Sequence, residues 1–324
     1  MIFTKIEKNI KHILQKKPTI ILGLSGGPDS VFLLYFFKKL DTEKKIKLIA
    51  AHLDHGWRKE SVNDVKFCKS LCKNNDIPFI HEHANNLKAC LKFNGSKEEF
   101  GRNLRRFFFE NLQKIYKADL IALGHHQQDQ QETFFWRIIR GSSLCGLSCM
   151  RIIDKPYIRP LLNVSKHEIL NYLNEKNINY ITDSTNSSDS FLRNRIRKYV
   201  LPAMQKSDLR FNTKFQSTLK HLQEEEDFFK RLTIKYYKKI FTAKIKNQKQ
   251  IICGDLKQFL SKETVLQKRM LIYWLNQEKV SFNASENYFD EILRFLNNNR
   301  GGSHQLCTNW KLNKKKSLFW IEKN

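Results

Sequence analysis

Ser25-Gly26-Gly27-Pro28-Asp29-Ser30 follows the apolar run 19–24 and leads into a second apolar run, 31–37. A strand that ends in two glycines and passes through a proline into a helix offers bare backbone N–H groups and a positive helix end, which suit a phosphate. The loop lacks the Gly-Lys-Ser/Thr ending of the common nucleotide loop. It therefore brings no lysine over the terminal phosphates, while Asp29 can help hold Mg2+. This combination points to a cleavage that releases pyrophosphate. Taken alone, two glycines and a proline also make an ordinary turn, and the position after a first strand is what favours the phosphate reading.

A second cluster is Gly124-His125-His126-Gln127-Gln128-Asp129-Gln130-Gln131-Glu132-Thr133. Asp129 and Glu132 are three apart, so on a helix they share a face and can bind or deprotonate an amine. A solvated helix start that favours acids is the plainer alternative. His125 and His126 would allow a metal site, but adjacent side chains on an extended chain point to opposite faces, and nucleotide contact with packing is the preferred reading. Arg102, Arg105 and Arg106 recur among Leu104 and 107–109, and Arg193, Arg195 and Arg197 flank the apolar Ile196. Arginines so grouped suit a phosphate backbone, which they position without reading its sequence. The first group also fits a basic helix covering a core.

The elements that must hold these residues read as β-α alternation. Short apolar runs at 19–24, 48–53, 79–82 and 120–123 alternate with helical spacing at 30–40, 61–74 and 97–116, and a further helix is expected to start near Gln130. The pattern predicts an α/β fold with a doubly wound parallel sheet, whose ligands bind at the carboxyl ends of the strands. Three polar clusters fall there, at 25–30, 54–58 and 124–132. Beyond the Ser/Asp/Asn-rich loop 183–190 the chain turns to long charged helices such as 211–237, which places a boundary near residue 210. The expected organisation is a catalytic domain over 1–210 and a smaller helical and α+β domain over 211–324. Its tail, with Trp310, Leu312, Leu318 and Trp320 around a basic turn Asn313-Lys314-Lys315-Lys316, reads as a hairpin.

The 324 residues include 58 Lys plus Arg against 32 Asp plus Glu, a formal charge of +26. Such an excess attracts a polyanion, and nucleic acid becomes the leading partner. A Lys-, Asn- and Ile-rich composition from an AT-biased genome would also produce part of it. The cysteines at 68, 72, 90, 145, 149, 253 and 307 form an odd set without a close framework, and nothing at the N-terminus reads as a cleavable signal, so a reducing cytoplasm is expected. No apolar run reaches the roughly 18 residues that a spanning helix needs.

The loop Ser25 to Ser30 resembles the Ser-Gly-Gly-x-Asp-Ser signature of the PP-loop ATP pyrophosphatases. Within that superfamily the remaining clusters are similar to those of the tRNA(Ile)-lysidine synthase family: Leu53-Asp54-His55-Gly56-Trp57-Arg58, the 124–133 cluster, 137–141, Gly146-Leu147, Arg159-Pro160-Leu161-Leu162, Asp183-Ser184-Thr185-Asn186 and Arg193-Asn194-Arg195-Ile196-Arg197. They run in the family order over roughly 19–202, and the tail resembles the family's first C-terminal domain more weakly.

The resemblance implies an adenine nucleotide alpha hydrolase-like fold and a two-step ligation. ATP adenylates the C2 oxygen of the wobble cytidine of a CAU-anticodon tRNA(Ile), and the ε-amine of free L-lysine then displaces AMP, changing codon specificity from AUG to AUA. It implies ATP and Mg2+ as cofactors. It also implies Asp29, Asp129 and Glu132 as catalytic residues, with Asp29 shared between Mg2+ and pyrophosphate. Ser25, Gly26, Gly27, Pro28, Asp29, Ser30, His55 and His125 would bind ATP, and Arg102, Arg105, Arg193, Arg195 and Arg197 would contact tRNA. Pairing of two copies is compatible with this reading and is not fixed by the sequence.

Two departures stand out. The family usually shows His-His-x-Asp-Asp-Gln, whereas Gln128 stands at the first aspartate, so Asp129 with Glu132 is expected to carry that cluster's carboxylate work. The chain also stops after its hairpin-like tail, so the additional domain of longer members is expected to be lacking. The rival enzyme is a tRNA thiolase, which would need reactive cysteines. Cys68 with Cys72 and Cys145 with Cys149 have three residues between them rather than two, and burial explains them adequately. A non-catalytic RNA-binding protein with a degenerate nucleotide domain is the rival from another class, and the intact Ser25 to Ser30 loop argues against it.

Overall fold

The computed structural model describes residues 2–57, 61–88, 97–182, 191–246, 249–282 and 285–323. Arg58, Cys90 and the polar loop 183–190 lie outside the described residues. The chain divides into two compact units, 1–220 and 221–324, and the division falls within the helix Phe211–Ile240.

In the first unit the apolar runs form β1 (Thr19–Gly23), β2 (Lys47–Asp54), β3 (Phe79–His83) and β4 (Leu120–Ala122), parallel in the order β3-β2-β1-β4. A short hairpin of β5 (Ile153–Asp154) and β6 (Tyr157–Ile158) extends the β4 edge, with β6 parallel to β4 and β5 antiparallel to β6. The helices are α1 (Ile2–Leu14), α2 (Pro28–Thr42), α3 (Ser61–Lys73), α4 (Ala84–Lys88), α5 (Lys97–Ile115), α6 (Gln127–Ile139), α7 (Leu144–Leu147), α8 (Lys166–Glu175), α9 (Leu192–Arg195) and α10 (Leu201–Ser207), with a π-helical turn Ile196–Val200 between the last two. The helix expected near Gln130 starts at Gln127, and α1 was not anticipated.

Strand β1 shows why the sheet is covered on both faces. Its alternation sends Ile20 and Leu22 into one core with Ile6 and Ile10 of α1, Phe32 and Phe36 of α2, and Ile169 and Leu173 of α8. Ile21 goes to the other face, with Leu104, Phe108 and Phe109 of α5. The chain adds β2 and β3 on one side of β1 and then returns to place β4 on the other. The winding therefore reverses between β1 and β4, and the crevice outside their carboxyl ends is where such sheets take ligands.

The second unit is built on an antiparallel sheet in the order β7-β8-β11-β10-β9. Its elements after α11 (Phe211–Ile240) are β7 (Phe241–Lys246), β8 (Lys249–Asp255), α12 (Leu256–Leu260), α13 (Thr264–Gln277), α14 (Glu286–Asn297), β9 (Gly302–Cys307), β10 (Trp310–Lys315) and β11 (Leu318–Lys323). Phe259, Trp274, Phe289 and Phe319 fill its core. The tail hairpin forms, but the basic turn is shorter than expected. Asn313, Lys314 and Lys315 belong to β10, paired with Trp320, Phe319 and Leu318, and the reversal falls at Lys316, which has φ 53°. Lys314 is buried because its ammonium lies among the carbonyls of Phe295, Leu296 and Asn298 and caps the end of α14. Among the described residues no helix is long and apolar enough to cross a membrane.

Candidate functional site

The loop after β1 is anchored before it turns, because Leu24 N–H donates to Ala51 O of β2 at 2.8 Å. Gly27 then caps α2 from an extended conformation, with no side-chain hydrogen bond to the helix, and Pro28 opens the first turn. Main-chain donors of that turn are left for a guest. The hydroxyls close the loop: Ser25 N–H donates to Ser30 Oγ at 3.1 Å, Ser30 Oγ donates to Gly27 O at 2.9 Å, and the two Oγ atoms lie 3.1 Å apart. Gly26 has φ +82°, a conformation that disfavours any side chain, and a Cβ there would also press on the terminal methyl of Ile181 at 2.6 Å. A Cβ on Gly27 would meet nothing nearer than Ser25 Oγ at 3.6 Å, which leaves the backbone open to a phosphate.

The second cluster arrives from β4. Gly124 lets the chain pass against α2, since a Cβ there would lie 3.2 Å from both Asp29 C and Ser30 N. His126 then caps α6 in a reciprocal box: its Nδ1 accepts from Gln128 N–H at 3.2 Å, and its own N–H donates to Asp129 Oδ2 at 2.8 Å. With Nδ1 accepting, the proton belongs on Nε2, which lies 3.8 Å from Asp29 Oδ1 and 3.6 Å from Asp129 Oδ2. One imidazole thus sits between the carboxylates of the two clusters.

Asp29 also receives a cation. Lys166 Nζ lies 2.6 Å and 2.8 Å from its two oxygens. Glu132, one turn along α6 from Asp129, is almost fully buried, so for this residue the solvated-start alternative fails. It accepts from Arg197 Nε at 2.6 Å and Nη2 at 3.1 Å in a two-pronged pair, and Arg193 reaches the neighbouring Thr133 Oγ1 at 3.4 Å. Arg197 lies in the π-helical turn, a distortion common where side chains are placed for function.

Electrostatics separates these groups. Burial pushes the Glu132 carboxyl above the usual carboxylate range, with Arg197 working against it. For Asp129, burial also acts upward, yet His126 and His125 outweigh it and hold the carboxyl below its ordinary range. Burial brings His55 and His125 down to about 4, helped at His55 by Arg105 and at His125 by Arg159, Arg105 and Arg193. Both rings are therefore neutral near pH 7, and the Nδ1 atom of each is buried without a hydrogen-bond partner among the described residues. Polar atoms left in that condition are costly.

The structure thus brings Ser25, Gly26, Gly27, Pro28, Asp29 and Ser30 to Asp129 around the β1/β4 crevice through the His126 ring, with His125 at the end of β4, while Glu132 lies one turn further along α6, buried against Arg197. His55 lies after β2, stacked on Trp57 at 4.6 Å between ring centres, with Arg105 Nη2 at 3.5 Å from its Nε2. Arg102 and Arg105 are exposed on α5 and Arg195 on α9. Arg197 is exposed as well, and its guanidinium is also engaged by Glu132. The sequence reading missed Lys166, although Ser165 and Glu168 form a capping box that marks the start of α8. Among the described residues no group of three or more His, Cys, Asp or Glu is placed to hold a metal ion.

Comparison with known proteins bears on this geometry. The PP-loop domain matches residues 2–204. The tRNA(Ile)-lysidine synthase of Bacillus thuringiensis subsp. konkukian is 33% identical over 292 residues, covering 88% of this chain and 61% of that protein. That of Bacillus subtilis is 33% identical over 299 residues, covering 90% and 62%. The chain therefore spans somewhat under two thirds of the length of these curated relatives. Among solved structures, the U34-tRNA thiolase NcsA from Methanococcus maripaludis aligns with a TM-score of 0.58 at 20% identity, over 68% of this chain and 78% of that one, which is a likeness of fold.

Proposed function

This chain belongs to the PP-loop domain family, and from that premise we propose that it ligates lysine to C2 of the wobble cytidine of a CAU-anticodon tRNA(Ile), consuming ATP. The observation that carries the proposal is the meeting of the Ser25 to Ser30 loop with Asp129, across the His126 ring, at the crevice where the sheet reverses its winding. One half of the site suits a triphosphate and the other suits an ammonium, which is the pair of substrates this reaction needs.

In this reading the N–H groups of Gly26 and Gly27 and the first turn of α2 hold the phosphates, and the Ser25 and Ser30 hydroxyls keep that cradle in shape. Asp29 would hold Mg2+, which would supply charge neutralisation for the leaving pyrophosphate. Neutral His55 and His125 turn their unpartnered nitrogens to the nucleotide. Asp129, held as a carboxylate, receives the lysine ammonium, and Glu132, whose carboxyl burial pushes up, is the better suited of the two to take the proton that must leave before nitrogen attacks. Glu132, fixed by Arg197, sets the second wall of the amine subsite. Arg102, Arg105, Arg193, Arg195 and Arg197 contact the tRNA backbone. Residues 1–210 serve as the catalytic domain, 211–324 as a tRNA grip, and the cytoplasm as the compartment.

Thiolation finds less support. Burial pushes the thiols of Cys68 and Cys72 up to about 12 and that of Cys149 up to about 11, so none of these is a thiolate near neutral pH, whereas Cys145 is exposed, contrary to the burial expected for it. Incubation with labelled lysine, ATP, Mg2+ and CAU-anticodon tRNA(Ile) should place label in the RNA and release AMP and pyrophosphate. Folded protein that binds the RNA without incorporation, or that transfers sulfur instead, would overturn the proposal.

A further inference from the structure

A loop that binds a triphosphate through amides alone leaves most of the negative charge of the leaving pyrophosphate to other groups. Common nucleotide loops carry a lysine for this purpose, and 25–30 has none. The structure supplies an ammonium from a distant part of the chain. Lys166 is the first residue of α8 and lies 137 positions from Asp29, yet its Nζ reaches both carboxylate oxygens at 2.6 and 2.8 Å.

The base of this side chain is fixed by independent ties. Ser165 and Glu168 cap the helix reciprocally, with Ser165 N–H on Glu168 Oε2 at 2.8 Å and Glu168 N–H on Ser165 Oγ at 3.2 Å. Lys166 N–H itself donates to Gln128 Oε1 at 2.9 Å, and Gln127 N–H donates to Val164 O at 3.0 Å. The start of α8 is therefore bonded to the start of α6, the element that carries Asp129 and Glu132. Lysine has a flexible stem, and the seat on Asp29 fixes where its charge is held. About a third of the Lys166 side chain remains accessible. Two of its three N–H donors are used by the carboxylate, which leaves one to give.

Resting on the reading that ATP occupies the Ser25 to Ser30 loop, we propose that Lys166 is a substrate-contacting residue: its ammonium, seated on Asp29 in this structure, passes to the β- and γ-phosphoryl oxygens of ATP when Mg2+ takes the carboxylate. It replaces from another element the lysine that the loop lacks. Gln128, which departs from the family's aspartate, is a positioning residue for it, because its amide oxygen accepts the Lys166 N–H.

The test is equilibrium binding of ATP and of AMP to the full chain in Mg2+, without RNA or lysine, for the wild type, Lys166→Met and Lys166→Arg. Loss of a charged hydrogen bond to phosphate predicts that Lys166→Met weakens ATP binding by about 10- to 100-fold. AMP, which lacks the β- and γ-phosphates, should bind with unchanged affinity, and Lys166→Arg should recover most of the ATP affinity. An equal loss for ATP and AMP would assign Lys166 a purely structural role, and unchanged ATP binding in Lys166→Met would remove it from the phosphate site. Either result overturns this inference while leaving the ligase reading standing. A folded wild type that binds neither nucleotide overturns both.

Discussion

In residues 221–324 buried charges close on themselves. Glu226 accepts from both terminal nitrogens of Arg269, at 3.0 and 2.6 Å, and Lys314 gives its protons to carbonyls at the end of α14. At the carboxyl ends of β1 and β4 the charged groups are instead shared across elements and left incomplete. The His126 ring stands between two carboxylates with its Nε2 at 3.8 and 3.6 Å, beyond a full hydrogen bond to either, Lys166 crosses from α8 to Asp29, and His55 and His125 each bury a nitrogen with no partner among the described residues. Both regions bear the desolvation cost of burial. The first recovers it in pairs closed within one unit, and the second recovers part of it through Arg197 on Glu132 and Lys166 on Asp29, leaving the His126 ring between two carboxylates as the open point.

That contrast is tested most severely in the second unit. Glu226→Ala strands a mostly buried Arg269, and removal of one partner from such a pair costs about 3–5 kcal/mol. Chemical denaturation should show that loss while ATP binding to the remaining folded protein is unchanged. A matching loss of ATP affinity would mean that the closed pair is not confined to stability. In the first unit Asp29→Ala should behave in the opposite way. Pyrophosphate release should fall by about 100- to 1,000-fold, as when a preorganised electrostatic group is removed, while tRNA binding persists. Unchanged ATP turnover in that variant would remove Asp29 from the reaction.

Legibility in the sequence followed the range of the interactions. Strands β1, β2 and β4 were readable because burial on both faces writes an unbroken apolar run, and the loop after β1 was readable because its glycines, proline and aspartate are contiguous. Helix α1 was missed although Ile2, Ile6 and Ile10 recur at helical spacing. Strands β5 and β6 are two residues each, too short for any period to show. In the tail, lysine was equated with solvent, and Lys314 is buried. At the site, Glu132 and Arg197 were both named from sequence, but for different partners, since nothing local reveals a pairing across 65 positions. Lys166 shows the same limit. Its helix start carries a local signal, whereas the position of its ammonium depends on the fold.

The incomplete histidines give a pH test of intermediate size. Their folded values, about 4, lie below the ordinary value of 6.5, so between those limits the unfolded chain binds protons that the folded chain does not. Stability is therefore full above about pH 6.5 and falls as pH drops toward 4. For His125 the expected loss is about 1–3 kcal/mol. Melting temperatures at pH 7 and pH 4.5 should converge in His125→Asn relative to the wild type. An equal acid response in both proteins would show that His125 is not the group responsible.

The smallest effect belongs to Gln128, and it separates holding a charge from carrying one. Gln128→Ala leaves Lys166 N–H without its acceptor at the start of α8, a capping loss of about 1 kcal/mol in thermal stability. The Lys166 ammonium remains on the chain, and the Ser165 and Glu168 box still starts the helix. ATP affinity should therefore fall by only a few-fold, well short of the loss in Lys166→Met, with AMP affinity unaltered. An ATP defect in Gln128→Ala as large as that in Lys166→Met would place the phosphate contact under the control of the α6–α8 tie rather than of the seat on Asp29. No defect at all would show that Asp29 alone aims the lysine.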